Sequence, residues 1–432
     1  MSKKDLQRAK GVRDFSPQDK LSRNKIVNIL RSIFELYGYN PIETPILERY
    51  ETFASKYGIG QESDAMKETF KLQDQGKRDL VLRTEFTVPF ARFVGMNSQL
   101  KMPFKRYQMG SVFRDGPIKL GRYREFWQCD VDVVGVSKMT IDAELVDLTK
   151  TVFNKLDLDI EIQINNRILL NEILNKASIK EKDQESVIIS IDKLEKIGAD
   201  GVKQELVQKD ISSDQVDAVL ALINISGSND DKIKLLEKEL GDSEGLTKIK
   251  EVINLIDNEN VNFIPSLARG LAYYTGTIFE VFLKDTSKLN SSLAGGGRYD
   301  DMIGGFLDRN EQVPAVGISF GLETIYDALQ LAKSDIVKGV STAQIYVSTI
   351  GKGLEKEALK IARKLRQNNI KTDVDLQGKN LRKNLDYADS YKIPWVLILG
   401  EDEIKQDKYT LKNMTSGDQF SLKLPEILNK IK

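Results

Sequence analysis

Apolar residues recur along this chain in several different rhythms. Between residues 22 and 37, Ile26, Ile29, Leu30, Ile33, Phe34 and Tyr37 fall at the spacing of one helical face, which predicts an amphipathic helix. Gly38 stands where a C-terminal cap belongs. PIETPIL follows as a short extended piece punctuated by Pro41 and Pro45. LVLRTEFTVPFARFV, at 80–94, passes from a strand-like into a helix-like pattern. WQCDVDVVG, at 127–135, alternates strictly: Trp127, Cys129, Val131 and Val133 share one face, Gln128, Asp130 and Asp132 the other. Three polar groups on one side of such a strand either face solvent in an antiparallel sheet or line a site, and the alternation alone does not choose.

From about 165 to 262 the pattern turns helical and polar, with SGSNDD read as a loop. Strand-like patterns resume at 277–283 and 315–320, with a glycine-rich turn expected at 295–297 between them. KSDIVKGVST, near 333–342, reads as a linker. Beyond it AQIYVSTI, EKEALKIARKLRQ, KTDVDL, KNLRKNLDYAD and WVLILG alternate between strand and helix, which predicts a small α/β domain. Arg363, Lys364, Arg366, Lys371, Lys379, Arg382 and Lys383 cluster there, and a solvated helix face accounts for them as well as an RNA contact does.

With 432 residues the chain has room for two or three domains. Its 64 basic and 64 acidic residues balance, so no global basic field announces a nucleic acid, although a basic face can be offset by an acidic one. A single cysteine, Cys129, rules out a disulfide within the chain and suggests a reducing compartment. The first residues lack the apolar run of a signal peptide, and no 18-residue apolar stretch exists, so a soluble cytoplasmic protein with no membrane partner is expected. The absence of histidine has chemical force. It excludes a Ser–His or Cys–His nucleophilic pair, an imidazole base and any histidine metal ligand within the chain. Phosphoryl and nucleotidyl transfer fit that restriction, because positioning and electrostatics carry most of the catalysis.

Two segments concentrate the remaining chemistry. FRDGPIKLGRYREFWQCDVDVVG, at 113–135, places Arg114, Arg122 and Arg124 ahead of the alternating strand. ARGLAYYTGTIFEVF, at 268–282, places Arg269 four residues before the Tyr273–Tyr274 pair. Guanidinium forks suit a polyphosphate, and carboxylates with phenols suit a small polar ligand. Both segments resemble the histidyl-tRNA synthetases, a class II aminoacyl-tRNA synthetase family, and the likeness extends over nearly the whole chain. The helix at 22–37 with its following strand and proline resembles motif 1, which in that class builds a dimer interface; FRDGPIKLGRYREF resembles motif 2, and PAVGISFGLETI, at 314–325, resembles motif 3. RGLAYYTG and AGGGRYDDMIGGF, the latter at 294–306, resemble two signatures of the histidine-specific family.

The resemblance implies roles for individual residues. Arg114 and Arg269 would be catalytic and flank the α-phosphate, Arg122 would hold the outer phosphates, Phe126 would stack on adenine, and Glu323 would belong to the ATP site. Glu85, Thr87 and Gln128 would hold the α-ammonium of histidine, while Asp132 and Tyr274 would each take one imidazole nitrogen. Tyr273 would line the same pocket, with Gly295, Gly296 and Gly297 permitting close backbone approach. Thr324 departs from the class, which usually carries arginine there on the γ-phosphate.

The implied fold is α+β: an antiparallel class II sheet with flanking helices over 1–332, a helical insertion at about 165–262, a linker at 333–342, and a small α/β anticodon-binding domain over 343–432. The implied activity is ATP-dependent ligation of L-histidine to histidine tRNA through a histidyl-adenylate, with Mg²⁺ accompanying ATP, in a homodimer. The alternative is a non-catalytic regulatory subunit of ATP phosphoribosyltransferase, which resembles the same family; Thr324 favours it, whereas the intact ARGLAYYTG and the C-terminal domain oppose it.

Overall fold

A computed structural model describes residues 6–54, 67–119, 121–257, 259–269, 273–306, 312–338 and 341–431. Contacts divide the chain into two compact units, one of Met1–Arg13 with Ile26–Ser334 and one of Asp14–Lys25 with Asp335–Lys432.

The first unit is built on an eight-stranded sheet in the order β1-β5-β6-β11-β10-β9-β7-β8. The strands are β1 (Asn40–Pro41), β5 (Phe104–Phe113), β6 (Glu125–Val134), β7 (Ile160–Asn166), β8 (Val261–Phe263), β9 (Thr277–Leu283), β10 (Ala294–Arg298) and β11 (Ala315–Gly321). Only the outer pairs β1–β5 and β7–β8 run parallel; every inner pair is antiparallel. A second, three-stranded sheet joins β2 (Leu47–Arg49), β4 (Asp79–Leu82) and β3 (Lys71–Gln73). Between β7 and β8 the chain makes six helices, from Arg167 to Leu255, and then returns to the same sheet edge.

Three local expectations change. The first helix spans Pro17–Leu36 rather than beginning near 22. The Asp19 amide donates to Ser16 Oγ at 3.2 Å and the Ser16 hydroxyl donates back to Asp19 at 2.6 Å. Pro17 occupies the first turn, where its missing N–H costs nothing. At the other end Gly38, with φ +80°, closes the helix: Gly38 N donates to Glu35 O and Tyr39 N to Phe34 O, both at 3.0 Å. Second, SGSNDD is only half a loop. Ser228 and Asp231 form a reciprocal capping box that starts the helix Asn229–Leu240. Third, Gly295–Gly297 is not a turn but the middle of β10, paired on both sides. A side chain on Gly296 would enter the Gly317 carbonyl of the neighbouring strand, so this close approach needs glycine.

The second unit carries β12 (Ile345–Thr349), β13 (Thr372–Val374), β14 (Trp395–Leu399), β15 (Tyr409–Asn413) and β16 (Gln419–Leu422) in the order β13-β12-β14-β15-β16. β12 lies parallel to β13 and β14, and β15 and β16 add an antiparallel hairpin that the alternation did not announce. One face buries Val347, Leu397 and Leu399 against Ile361, Leu365 and Ile427; the other buries Tyr346, Val396 and Ile398 against Ala388 and Ile393. Both faces are covered, as a parallel core requires. Arg363, Lys364, Arg366, Lys371, Arg382 and Lys383 are exposed and Lys379 is half-buried.

Candidate active site

Antiparallel register places directly paired residues on the same face of a sheet. Three rows therefore run across the large sheet. Gly110, Gln128 and Gly321 form the first; Gln108, Asp130, Ser319, Gly295 and Glu280 the second; Arg106, Asp132, Gly317, Gly297 and Ile278 the third. Glycine removes the side chain at five of these positions, and other elements lie in the space. A Cβ on Gly295 would land on the Arg269 guanidinium, and one on Gly297 would sit 2.8 Å from the Tyr274 ring. Gly296 alternates onto the opposite face with Ile318 and Val131, so it has only backbone to offer here.

The polar side of β6 does not face solvent. Asp130 and Asp132 are each 4% exposed. Asp132 pairs with Arg106 Nη2 at 2.7 Å and accepts a hydrogen bond from the Tyr299 hydroxyl. Arg106 is fully buried, its guanidinium 4.3 Å from the Phe90 ring centroid. Burial and then the Asp132 charge push the Tyr299 phenol pKa up, so it remains a donor. Asp130 accepts from Ser319 Oγ, and Gln108 beside it donates to Thr44 Oγ1 at 2.9 Å. Glu85 is buried close enough to raise the pKa of both aspartates. Thr87 opens the helix Thr87–Met96 two residues on. Gln128 Oε1 is buried and accepts no hydrogen bond among the described residues, so it suits a cationic donor supplied by a ligand.

Burial raises the Asp130 pKa to about 7, with Arg106 opposing and Asp132 assisting. The native state therefore holds this proton more tightly than the unfolded chain. The stability it contributes is complete below the unfolded value, about 4, and is lost as pH rises through about 7. Asp130→Asn should remove that loss, flattening denaturant-measured stability over this window; an unchanged pH profile would show that Asp130 does not titrate there.

Arg269 Nη1 lies 3.7 Å from Glu280 Oε1 and 3.4 Å from the Phe279 carbonyl. Burial alone would lower its pKa, but Glu280, Tyr274 and Tyr273 more than offset this and keep it charged. The Tyr273 and Tyr274 rings stand 4.6 Å apart, and Tyr273 meets Tyr299 edge-on at 6.4 Å. Gly270, Leu271 and Ala272, within the same signature, lie outside the described residues.

The loop between β5 and β6 carries the other guanidinium groups. Arg114 Nε donates to the Thr84 carbonyl at 3.0 Å, and its guanidinium carbon is 5.1 Å from the Phe126 ring centroid. Arg124 pairs with Asp115 at 2.9 Å. Arg122 Nη2 is held by both carboxylate oxygens of Glu68, at 2.9 and 3.1 Å. At the start of helix Leu322–Leu331, Glu323 is buried; its Oε2 accepts from the Trp127 amide at 2.9 Å and its Oε1 lies 3.7 Å from Arg13 Nη2. Arg13 stacks at 3.4 Å over Tyr123 of the loop. Thr324 turns inward: its hydroxyl donates to the Gly321 carbonyl at 3.0 Å and its methyl packs against Gly121. Among the described residues no cluster of three or more Cys, Asp or Glu is arranged to hold a metal ion.

Sequence reasoning named Arg114, Arg122, Arg269, Glu85, Gln128, Asp132, Tyr273 and Tyr274 without their supports. Arg106, Tyr299 and Ser319 were missed as partners, and Asp130, though placed on the polar face, received no role. Tyr299 sits inside AGGGRYDD and was legible there; Arg106 has no local signal, because its partner is contributed by the next strand.

A family model for histidyl-tRNA synthetase matches residues 11–325, and one for an anticodon binding domain matches residues 344–432. The chain is 43% identical over 437 residues to histidine–tRNA ligase 1 of Bacillus thuringiensis subsp. konkukian, covering 98% of this chain and 99% of the relative. A crystal structure of histidyl-tRNA synthetase from Nostoc sp. PCC 7120 superposes with a TM-score of 0.84 at 31% identity, covering 99% of this chain and 98% of that one. A structure described as an ATP phosphoribosyltransferase regulatory subunit/histidyl-tRNA synthetase from Bacillus halodurans shares the fold, with a TM-score of 0.74 at 22% identity over 91% of this chain and 98% of that one. The mixed fold with an antiparallel-rich sheet, the two family matches and the full-length identity agree: the chain belongs to the histidyl-tRNA synthetase family.

Proposed function

We propose that this chain is a histidine–tRNA ligase working through the glycine-cleared sheet face. The observation that carries the reading is the convergence, on one face, of a charged Arg269 over Gly295, Tyr274 over Gly297, and the polar side of β6 with Gln128, Asp130 and Asp132. A histidine carboxylate oxygen attacks the α-phosphorus of ATP, the bond to the leaving oxygen breaks, and pyrophosphate departs. A ribose hydroxyl of the terminal adenosine of tRNA then attacks the activated carbonyl carbon and AMP leaves. Arg114 and Arg269 receive the charge that develops on the α-phosphate. Phe126 stacks on adenine, Arg122 meets the outer phosphates, and Glu323 anchors the ATP side by fixing the Trp127 backbone.

Glu85, Thr87 and Gln128 hold the substrate ammonium. Asp132 keeps acceptor capacity beyond Arg106 and Tyr299, so an imidazole N–H donates to it while the Tyr274 hydroxyl serves the other nitrogen. Tyr273, Gly295 and Gly296 close the pocket. A site with several buried polar groups rejects ligands that leave them unpaired. Mg²⁺ would accompany ATP as the counter-ion of its phosphates.

Residues 1–332 form the catalytic domain with its insertion at about 165–262, 333–342 the linker, of which Gly339 and Val340 lie outside the described residues, and 343–432 the tRNA-anticodon domain. The chain acts as a homodimer in the cytoplasm. Cys129, the single cysteine of the sequence, is buried, which fits a reducing compartment, and among the described residues no helix is long and apolar enough to cross a membrane. Thr324 leans toward the regulatory-subunit reading, but the full-length likeness to a histidine–tRNA ligase, at 43% identity, outweighs it.

Histidine-dependent ATP–pyrophosphate exchange tests the catalytic assignment; its absence with histidine, or equal exchange with other amino acids, would overturn it. For the tRNA assignment, Arg382→Glu with Lys383→Glu should raise the KM for tRNA roughly tenfold and leave exchange unaltered, because cationic contacts act by displacing phosphate counter-ions. Charging that is insensitive to both this variant and added salt would remove the C-terminal domain from the RNA interface.

A further inference from the structure

We propose that Glu68 is a positioning residue that occupies Arg122 in the absence of ATP and yields it to the outer phosphates when ATP binds. This rests on the reading of Arg122 as an outer-phosphate ligand. Both Glu68 carboxylate oxygens engage the same Arg122 nitrogen. Two further contacts place Glu68 beneath the loop between β5 and β6. Its backbone carbonyl accepts from the Asp115 amide at 2.7 Å, and its carboxylate lies 2.8–2.9 Å from where a Cβ on Gly116 would stand. Gly116 therefore leaves room for a carboxylate at the turn, and the backbone tie holds it there.

The pair has the character of an exchangeable contact. The Arg122 side chain is 47% exposed and that of Glu68 26%, so solvent screens the attraction and a polyphosphate competes for the guanidinium at little cost. The need is local to this chain. Thr324 spends its hydroxyl on Gly321, and Arg124 is paired with Asp115, which leaves Arg122 as the loop guanidinium to be released.

The test is equilibrium binding of ATP and of AMP, without histidine, to the full-length protein and to Glu68→Gln, Arg122→Ala and the double variant. Glutamine keeps the size and the backbone tie but removes the competing charge. ATP should bind Glu68→Gln about threefold to fivefold more tightly, with AMP unchanged because it lacks outer phosphates. Arg122→Ala should weaken ATP and spare AMP. In the Arg122→Ala background, Glu68→Gln should lose most of its effect. If Arg122→Ala leaves ATP binding intact, the reading of Arg122 fails. If Arg122→Ala weakens ATP but Glu68→Gln gives unchanged or weaker binding, the placeholder role alone fails. A full gain from Glu68→Gln in the Arg122→Ala background means general repulsion of phosphate and also overturns it.

Discussion

Arg269→Ala is expected to slow histidyl-adenylate formation by about 10²–10³-fold while histidine binding changes far less. That loss is the usual consequence of removing one preorganised donor aimed at charge that exists only in the transition state. Arg114→Ala should show the same pattern. The structure adds a variant that sequence alone did not suggest. Alanine at Gly295 would put its Cβ on the Arg269 guanidinium, with Cζ only 2.8 Å away. The obstructed group is the free end of a long side chain, so the expected outcome is a displaced guanidinium in a folded protein. Gly295→Ala should therefore reproduce most of the Arg269→Ala defect, and the double variant should be little worse than either single one. Pre-steady-state adenylate formation measures all three. A normal rate in Arg269→Ala removes the assignment of that residue. A normal rate in Gly295→Ala beside a defective Arg269→Ala shows that Arg269 works from another position.

Arg106→Ala is expected to destabilise the fold by about 3–5 kcal/mol, because it leaves Asp132 buried without its cation. Arg106 is wholly enclosed, and its fully buried contacts with Asp132 and Phe90 have no solvent to replace them. Replacing Asp132 by Asn in that background should restore part of the loss, since the stranded charge is the main cost. Denaturant unfolding decides it: a change below about 1 kcal/mol for Arg106→Ala would mean that the Arg106–Asp132 pair contributes no net stability.

How much of the site was legible depends on the range of the interactions. The alternation of β6 was readable because side chains on a strand change face at every step. It correctly divided Cys129, Val131 and Val133 from Gln128, Asp130 and Asp132. Whether the polar face met water or protein was not readable. The answer came from β11, whose Ser319 lies 189 positions from Asp130, and from β5, which supplies Arg106 opposite Asp132. The helix caps at Ser16–Asp19 and Ser228–Asp231 are different: both signals lie within four residues, and the periodicity of the apolar face obscured them.

The sequence by itself determined the helices with a complete apolar face, the strand alternation at 127–135, the α/β rhythm of the C-terminal unit, the exclusion of histidine chemistry and the family membership. These rest on spacing within one element or on residue identity, which need no distant partner. Tertiary structure alone decided that Gly295–Gly297 is a paired strand, that Arg269 and Tyr274 fill the space its missing side chains leave, that Arg106 and Tyr299 fix Asp132, and that Thr324 turns its hydroxyl onto the Gly321 carbonyl. Glycine illustrates the reason. Three in a row have the local propensity of a turn, yet a neighbouring backbone or guanidinium that approaches too closely for any Cβ makes them obligatory in a strand.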